Sequence, residues 1–119
     1  MYLKNWIGSG DTQVRGVLPN SIPERFLWIV LSIAAGFVEE VFYRGYLQKQ
    51  IMSLTRSATV AVFMQAVLFA VSHSYQGFKS VVVIFVYGTM FGLLAHWRGD
   101  LWPGIVAHAW TDIVGGLVR

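Results

Sequence analysis

The sequence predicts an all-α fold, a multi-pass transmembrane helical bundle of about four spanning helices, and three observations predict it. Of 119 residues 55% are hydrophobic and 13% charged, roughly half the charge of an ordinary soluble domain, and mean hydropathy is +0.56. The apolar residues gather into four segments separated by "SLTRSA", "SYQGFKS" and "WRGDLWPG", polar and Gly/Pro punctuation of the kind that ends helices. The segments also lack the charged stripe of a helix in water: "VVVIFVYGTMFGLLA" offers only Thr89 and the Tyr87 hydroxyl. The last three are near the lower end of the roughly 17 to 25 residues that span a bilayer, so the missing polar face, more than length, decides against a soluble bundle.

Residues 1–25 read as a polar N-terminal segment and 26–119 as one transmembrane core. No basic n-region leads into a short apolar run, so no cleavable leader is expected. Ser21 suits a helix cap and Pro23 a first turn, which starts the first helix near Phe26 and carries it to about Met52. The second runs from about Ser57 to His73, the third from about Ser80 to Trp97 and the fourth from about Leu101 to Val118. Short connections make neighbours antiparallel, and Gly88 and Gly92 form a GxxxG step that lets helix backbones approach. Trp97 and Trp102 suit an interfacial belt, with Trp110 near them on the fourth helix and His96 at a helix end.

Composition excludes several functions. The chain has no cysteine, which removes disulfides, thiol catalysis and Cys-ligated metal. Its net charge of +3 comes from Lys and Arg scattered between apolar runs; no basic stripe marks a nucleic-acid partner, and the surface expected is a lipid bilayer. Arg15, Arg25, Lys79 and Arg119 flank one side and Lys49, Arg56 and Arg98 the other, too even a balance to orient the chain.

Against this background "GFVEEVFYRGYLQ" stands out, because it follows a run from Phe26 to Val38 whose only polar side chain is Ser32. A charge near the bilayer centre costs roughly 2.5 to 3.5 kcal/mol on insertion scales, so Glu39, Glu40 and Arg44 must face protein or a wet cavity. Glu40 and Arg44 are i,i+4 neighbours in the favourable order for an ion pair. Glu39 points about 100° away and has no cation among its sequence neighbours. Two more intramembrane groups can supply its partners: "FAVSH" at 69–73 and "HAWTD" at 108–112, where His108 and Asp112 share a face. Glu39 and His73 each lie 17 residues from Arg56, at the first turn, so both sit about 25 Å from it. From the turn near Gly99, His108 and Asp112 are about 13 and 20 Å deep, a difference that helix tilt can absorb. One polar pocket within the bundle is expected.

In this order and on successive apolar segments, "EEVFYR", "FAVSH" and "HAWTD" resemble the CPBP family of intramembrane proteases, also called the Abi or CAAX-protease family, with its pattern EExxxR, FxxxH and HxxxN or HxxxD. The resemblance covers about residues 25 to 118 and extends to "RGDLWPGIVAHAW" before the last motif. It implies a multi-pass bundle enclosing a polar cavity, membership of the glutamic-type intramembrane endopeptidases, and a peptide or protein substrate, C-terminal and lipidated in the eukaryotic branch. For bacterial members it implies peptide or bacteriocin processing and self-immunity, in the bacterial cell membrane. It further implies that Glu39 with His73 activates the hydrolytic water and that His108 with Asp112 stabilises the oxyanion. Glu40, Arg44 and Phe69 then support the site or contact substrate. Relatives usually have more spans, which makes a minimal or truncated version the expectation here. Many also have asparagine at position 112; an ionised aspartate cannot donate to an oxyanion, so Asp112 is either protonated or orients His108.

The chemistry itself is consistent with those roles, since a carboxylate out of water is a better base and oriented donors at a developing oxyanion supply a large electrostatic term. No covalent nucleophile is required, and no cofactor is favoured. Zinc is the alternative, with Glu39, His73, His108 and Asp112 as the available ligands, although HExxH is absent and the candidates are spread over three helices. A third reading is a non-catalytic membrane protein whose polar layer binds a peptide or partner.

Overall fold

The computed structural model describes residues 18–118, which leaves positions 1–17 of the polar N-terminal segment, Arg15 among them, and Arg119 outside the described residues. Four helices account for most of the rest. Helix α1 runs unbroken over Ile22–Thr55, with a π-helical stretch at Val41–Leu47 between α-helical halves. Helix α2 is Ala58–Val71, α3 is Phe78–Arg98 and α4 is Trp102–Leu117, with a single 3₁₀ turn at Ser74–Gln76 between α2 and α3. Among the described residues there is no strand.

The caps explain these limits. Ser21 and Glu24 form a capping box, the serine hydroxyl accepting from the Glu24 N–H and the Glu24 carboxylate from the Ser21 N–H, with a proline in the first turn. That box starts α1 at Ile22, one turn ahead of the apolar run. At the far end Arg56 adopts a left-handed conformation (φ 57°) and Ser57 caps α2 by accepting from Val60 N–H. Gly99 closes α3 in the same left-handed region (φ 72°). Helix α2 stops at Val71, so His73 belongs to the turn that follows and not to the helix expected to reach it. There the Ser72 hydroxyl and His73 Nδ1 both donate to the Phe69 carbonyl, at 2.7 and 2.8 Å; such local side-chain bonds compete with helix propagation.

Of the four helices, α1 and α3 are long and apolar enough to cross a membrane. Helix α2 is apolar but has only 14 residues, a rise of about 21 Å against a hydrocarbon core of about 30 Å. Helix α4, at 16 residues, is also short of that thickness. The bundle is built from two close pairs, α1 on α4 and α2 on α3. Both rest on small residues: a Cβ at Gly36 would lie 2.9 Å from the Ala109 backbone nitrogen, and one at Gly88 would lie 3.3 Å from Ala66 Cα. The core itself is small and aromatic, with Ala61, Ala66, Ala70, Phe69, Phe91 and Ala109 buried. Large apolar side chains such as Phe26, Val30, Val38, Phe63, Val86 and Val106 face outward and are exposed. So wide an apolar exterior is unsuited to water and suited to lipid.

The inward face of α1 carries Ser32, Gly36, Glu40, Arg44 and Gln48, all buried and spaced by four. In a regular α-helix each four-residue step drifts about 40°, so five such positions would wind roughly 160° around the axis. The wider π turns, which close rings to i+5, begin immediately after Glu40 and take up that drift. Arg44 and Gln48 therefore stay on the face that Ser32 and Glu40 define.

Candidate functional site

Glu40 is fully buried, and one of its oxygens accepts from His108 Nδ1 at 2.7 Å and forms an ion pair with Arg44 Nη1 at 3.1 Å that lacks hydrogen-bond geometry. The other oxygen faces Gly104, where an added Cβ would lie 3.0 Å away; glycine leaves it the room. The Arg44 guanidinium lies over the Phe69 ring at 4.3 Å, with Phe91 at 5.4 Å and Tyr43 at 6.0 Å, and Nη2 donates to the Gly88 carbonyl at 3.4 Å. The i,i+4 pair read from the sequence is present, and Glu40 has a second partner, on α4, that the helix geometry alone did not supply.

Glu39 is half-buried and meets both histidines, with Oε1 3.2 Å from His108 Nε2 and 4.0 Å from His73 Nε2. Asp112 Oδ2 lies 3.5 Å from the same His108 nitrogen. His108 is thus held between the adjacent glutamates, one at each ring nitrogen, with Phe91 stacked on its face at 5.1 Å. When the carboxylates are ionised both nitrogens are donors. His73 is set differently. Its Nδ1 faces a carbonyl, which can only accept, so Nδ1 carries the hydrogen and Nε2 is left free to accept from the cavity. Tyr43 donates to the Ser72 hydroxyl at 3.0 Å beside it, and the Phe69 ring packs edge-on against His73 at 4.8 Å.

These groups form one end of a cavity of about 360 Å³, within the usual size of ligand pockets. Glu39, Phe69, His73, His108 and Asp112 line it, whereas Glu40 and Arg44 do not. The structure therefore brings all seven sequence-predicted residues together in two layers: five at the cavity wall, and an ion pair behind them. His108 reaches the level of Glu39, with Nε2 3.2 Å from its carboxylate, although the count from the turn put it shallower. Among the described residues no group of three or more His, Asp and Glu is placed to hold a metal ion.

Sequence reading missed Gln48 and Gln65. Both are buried; Gln48 donates to the Gly92 carbonyl at 3.1 Å and Gln65 to the Gly88 carbonyl at 2.9 Å. The GxxxG step thus opens two carbonyls of α3 to donors from α1 and α2. A signal did exist: Gln48 continues the four-residue spacing of Glu40 and Arg44, and Gln65 is one of only two polar residues in α2, with Thr59.

Fold and site together define a class: a helical protein with a lipid-suited exterior, holding an acid–histidine cluster at the end of an internal cavity. Residues 21–114 match the family described as Type II CAAX prenyl endopeptidase Rce1-like, and the chain belongs to that family of membrane-embedded CAAX-type endopeptidases. The match agrees with the resemblance carried by the three motifs. No match was found among curated proteins or among solved structures.

Proposed function

We propose that the chain is an active intramembrane endopeptidase that hydrolyses a peptide bond with a water activated by Glu39 and His73. The observation that carries this is the meeting of Glu39 Oε1 with the Nε2 atoms of His73 and His108 on a cavity wall. Water hydrogen-bonded to Glu39 lies within reach of His73 Nε2, and Glu39 takes its proton as the oxygen attacks the substrate carbonyl. The resulting oxyanion accepts from His108 Nε2, beside Asp112, which either donates as a neutral acid or orients the imidazole. Collapse of the intermediate breaks the C–N bond, and the proton held by Glu39 passes to the leaving amine. Glu40 fixes His108 from its other nitrogen, Arg44 fixes Glu40, and Phe69 separates Arg44 from His73. No step is assigned to a cofactor.

In this reading residues 26–119 are the catalytic core, all four helices lie in the bilayer of a bacterial cell, and nucleic acid has no part. The substrate is a peptide or protein segment, C-terminal and lipidated as the family implies, and the cellular role is peptide or bacteriocin processing and self-immunity. The test is Glu39→Gln in purified protein, with cleavage and metal content followed together. Cleavage should fall by about 10²- to 10⁴-fold with no change in bound metal. Wild-type cleavage by the variant would overturn the assignment of the base, and loss of wild-type activity to a chelator, restored by zinc, would move the reaction to a metal. A wild-type protein that binds peptide without cleaving it would leave a non-catalytic binder.

A further inference from the structure

Beyond the reacting groups, the cavity extends toward the end of the bundle where α1 begins, and there it is lined by Leu18, Trp28, Ser32, Tyr75, Ser80 and Gly115. Ser32 and Ser80 are 4% and 3% exposed, yet neither hydroxyl has a hydrogen-bond partner among the described residues. By contrast Thr55, Thr89 and Thr111 donate to the carbonyl four residues back, and Ser72, just past the end of α2, to the one three back. Neither oxygen is sealed into the packing; both residues line the cavity, so each hydroxyl, on an otherwise buried residue, is left to bond whatever fills that space. No lysine or arginine lines the cavity, and Glu39 and Asp112 at its other end repel an anion. The missing partner is therefore neutral and polar, set among apolar walls, which describes the backbone amide of an apolar peptide.

Resting on the endopeptidase reading, we infer that Ser32 and Ser80 form a substrate subsite that hydrogen-bonds the peptide backbone away from the scissile bond. Ser32 precedes Glu39 by seven residues, about 10 Å along the helix, which an extended peptide covers in about three residues. The serines are positioning residues and touch no reacting atom.

The experiment uses an internally quenched, prenylated CAAX peptide in detergent micelles, with two series of probes shortened from either end. Hydrolysis is measured with wild type, Ser32→Ala and Ser80→Ala, and binding of the same peptides by fluorescence anisotropy with each change placed in Glu39→Gln. Each serine variant should raise KM and weaken binding by about 3- to 10-fold, the loss of one neutral hydrogen bond, with kcat and melting temperature little changed. In one truncation series, probes with fewer than about three residues beyond the scissile bond should bind wild type more weakly and no longer distinguish the alanine variants from it. Serine variants that bind every probe as wild type does, or that lose the same factor at every length, overturn the subsite while cleavage by wild type upholds the catalytic reading. Serine-dependent binding with no cleavage by wild type overturns the catalytic reading and keeps the subsite; absence of binding by wild type overturns both.

Discussion

Replacing each of the adjacent glutamates by glutamine should separate chemistry from architecture. Glu40 is fully buried, and its one paired oxygen holds both the Arg44 guanidinium and His108 Nδ1. Glutamine at 40 keeps an acceptor but removes the charge. Arg44 remains buried beneath the rings of Phe69 and Phe91 with only the Gly88 carbonyl at 3.4 Å to accept from it. Breaking a buried pair in this way costs about 3 to 5 kcal/mol. At position 39 the side chain is 29% exposed and its histidine partners can still hydrogen-bond an amide. The loss there should stay below about 1 kcal/mol, as for partly exposed pairs. Thermal unfolding in one detergent should therefore place Glu40→Gln about 10 °C or more below wild type, with Glu39→Gln close to it. Cleavage should fall in both, through the missing base at 39 and through a poorly held His108 at 40. Equal melting temperatures for the two variants, or a Glu40→Gln protein as stable as wild type, would refute the division of labour between them.

Two further outcomes follow from the packing and from position 112. Gly36→Leu should separate α1 from α4, because even a Cβ there lies 2.9 Å from the Ala109 backbone nitrogen; we expect a loss of about 1 to 3 kcal/mol or more, read by thermal unfolding, together with loss of cleavage. Asp112→Asn should preserve or raise activity across pH if the residue acts as a neutral donor beside His108 Nε2. A rate that collapses at every pH with unchanged metal content would instead assign Asp112 to holding the imidazolium.

Much of this arrangement was legible because charge in an apolar run has so few places to go. The cost of exposing Glu39, Glu40 and Arg44 to lipid pointed them inward, the i,i+4 rule paired two of them, and counting from the turns brought His73 and His108 to the same pocket. What the count could not see was local competition. The hydroxyl and imidazole of Ser72 and His73 turn back onto Phe69 and end α2 early. The π turns were equally hidden, although their trace is the four-residue spacing from Ser32 to Gln48, a period too long for a regular helix to keep on one face. Gln48 and Gln65 escaped notice for a different reason: their partners are the carbonyls of Gly88 and Gly92, and no search for complementary side chains finds a backbone acceptor. Helix length was the least visible property, since the second apolar segment reads as continuous up to a residue that the structure places in a turn.

The stripe along α1 also limits how the bundle can open. Turning that helix by a single residue, or sliding it by one turn, would carry Glu40 or Arg44 toward lipid, at roughly 2.5 to 3.5 kcal/mol for each charge, and would strip the α3 carbonyls of their donors. The half of α1 from Glu40 to Gln48 is accordingly locked in both rotation and depth, like a key with its bit engaged. Toward Ser21 the stripe holds only Ser32 and Gly36, with no ion pair to break, and it is this end that borders the cavity. There α1 is tied to α4 by Trp28 Nε1 donating to the Asp112 carbonyl at 2.9 Å, a neutral bond whose loss costs less than exposing a charge, so the two halves of one helix differ in what a movement would cost.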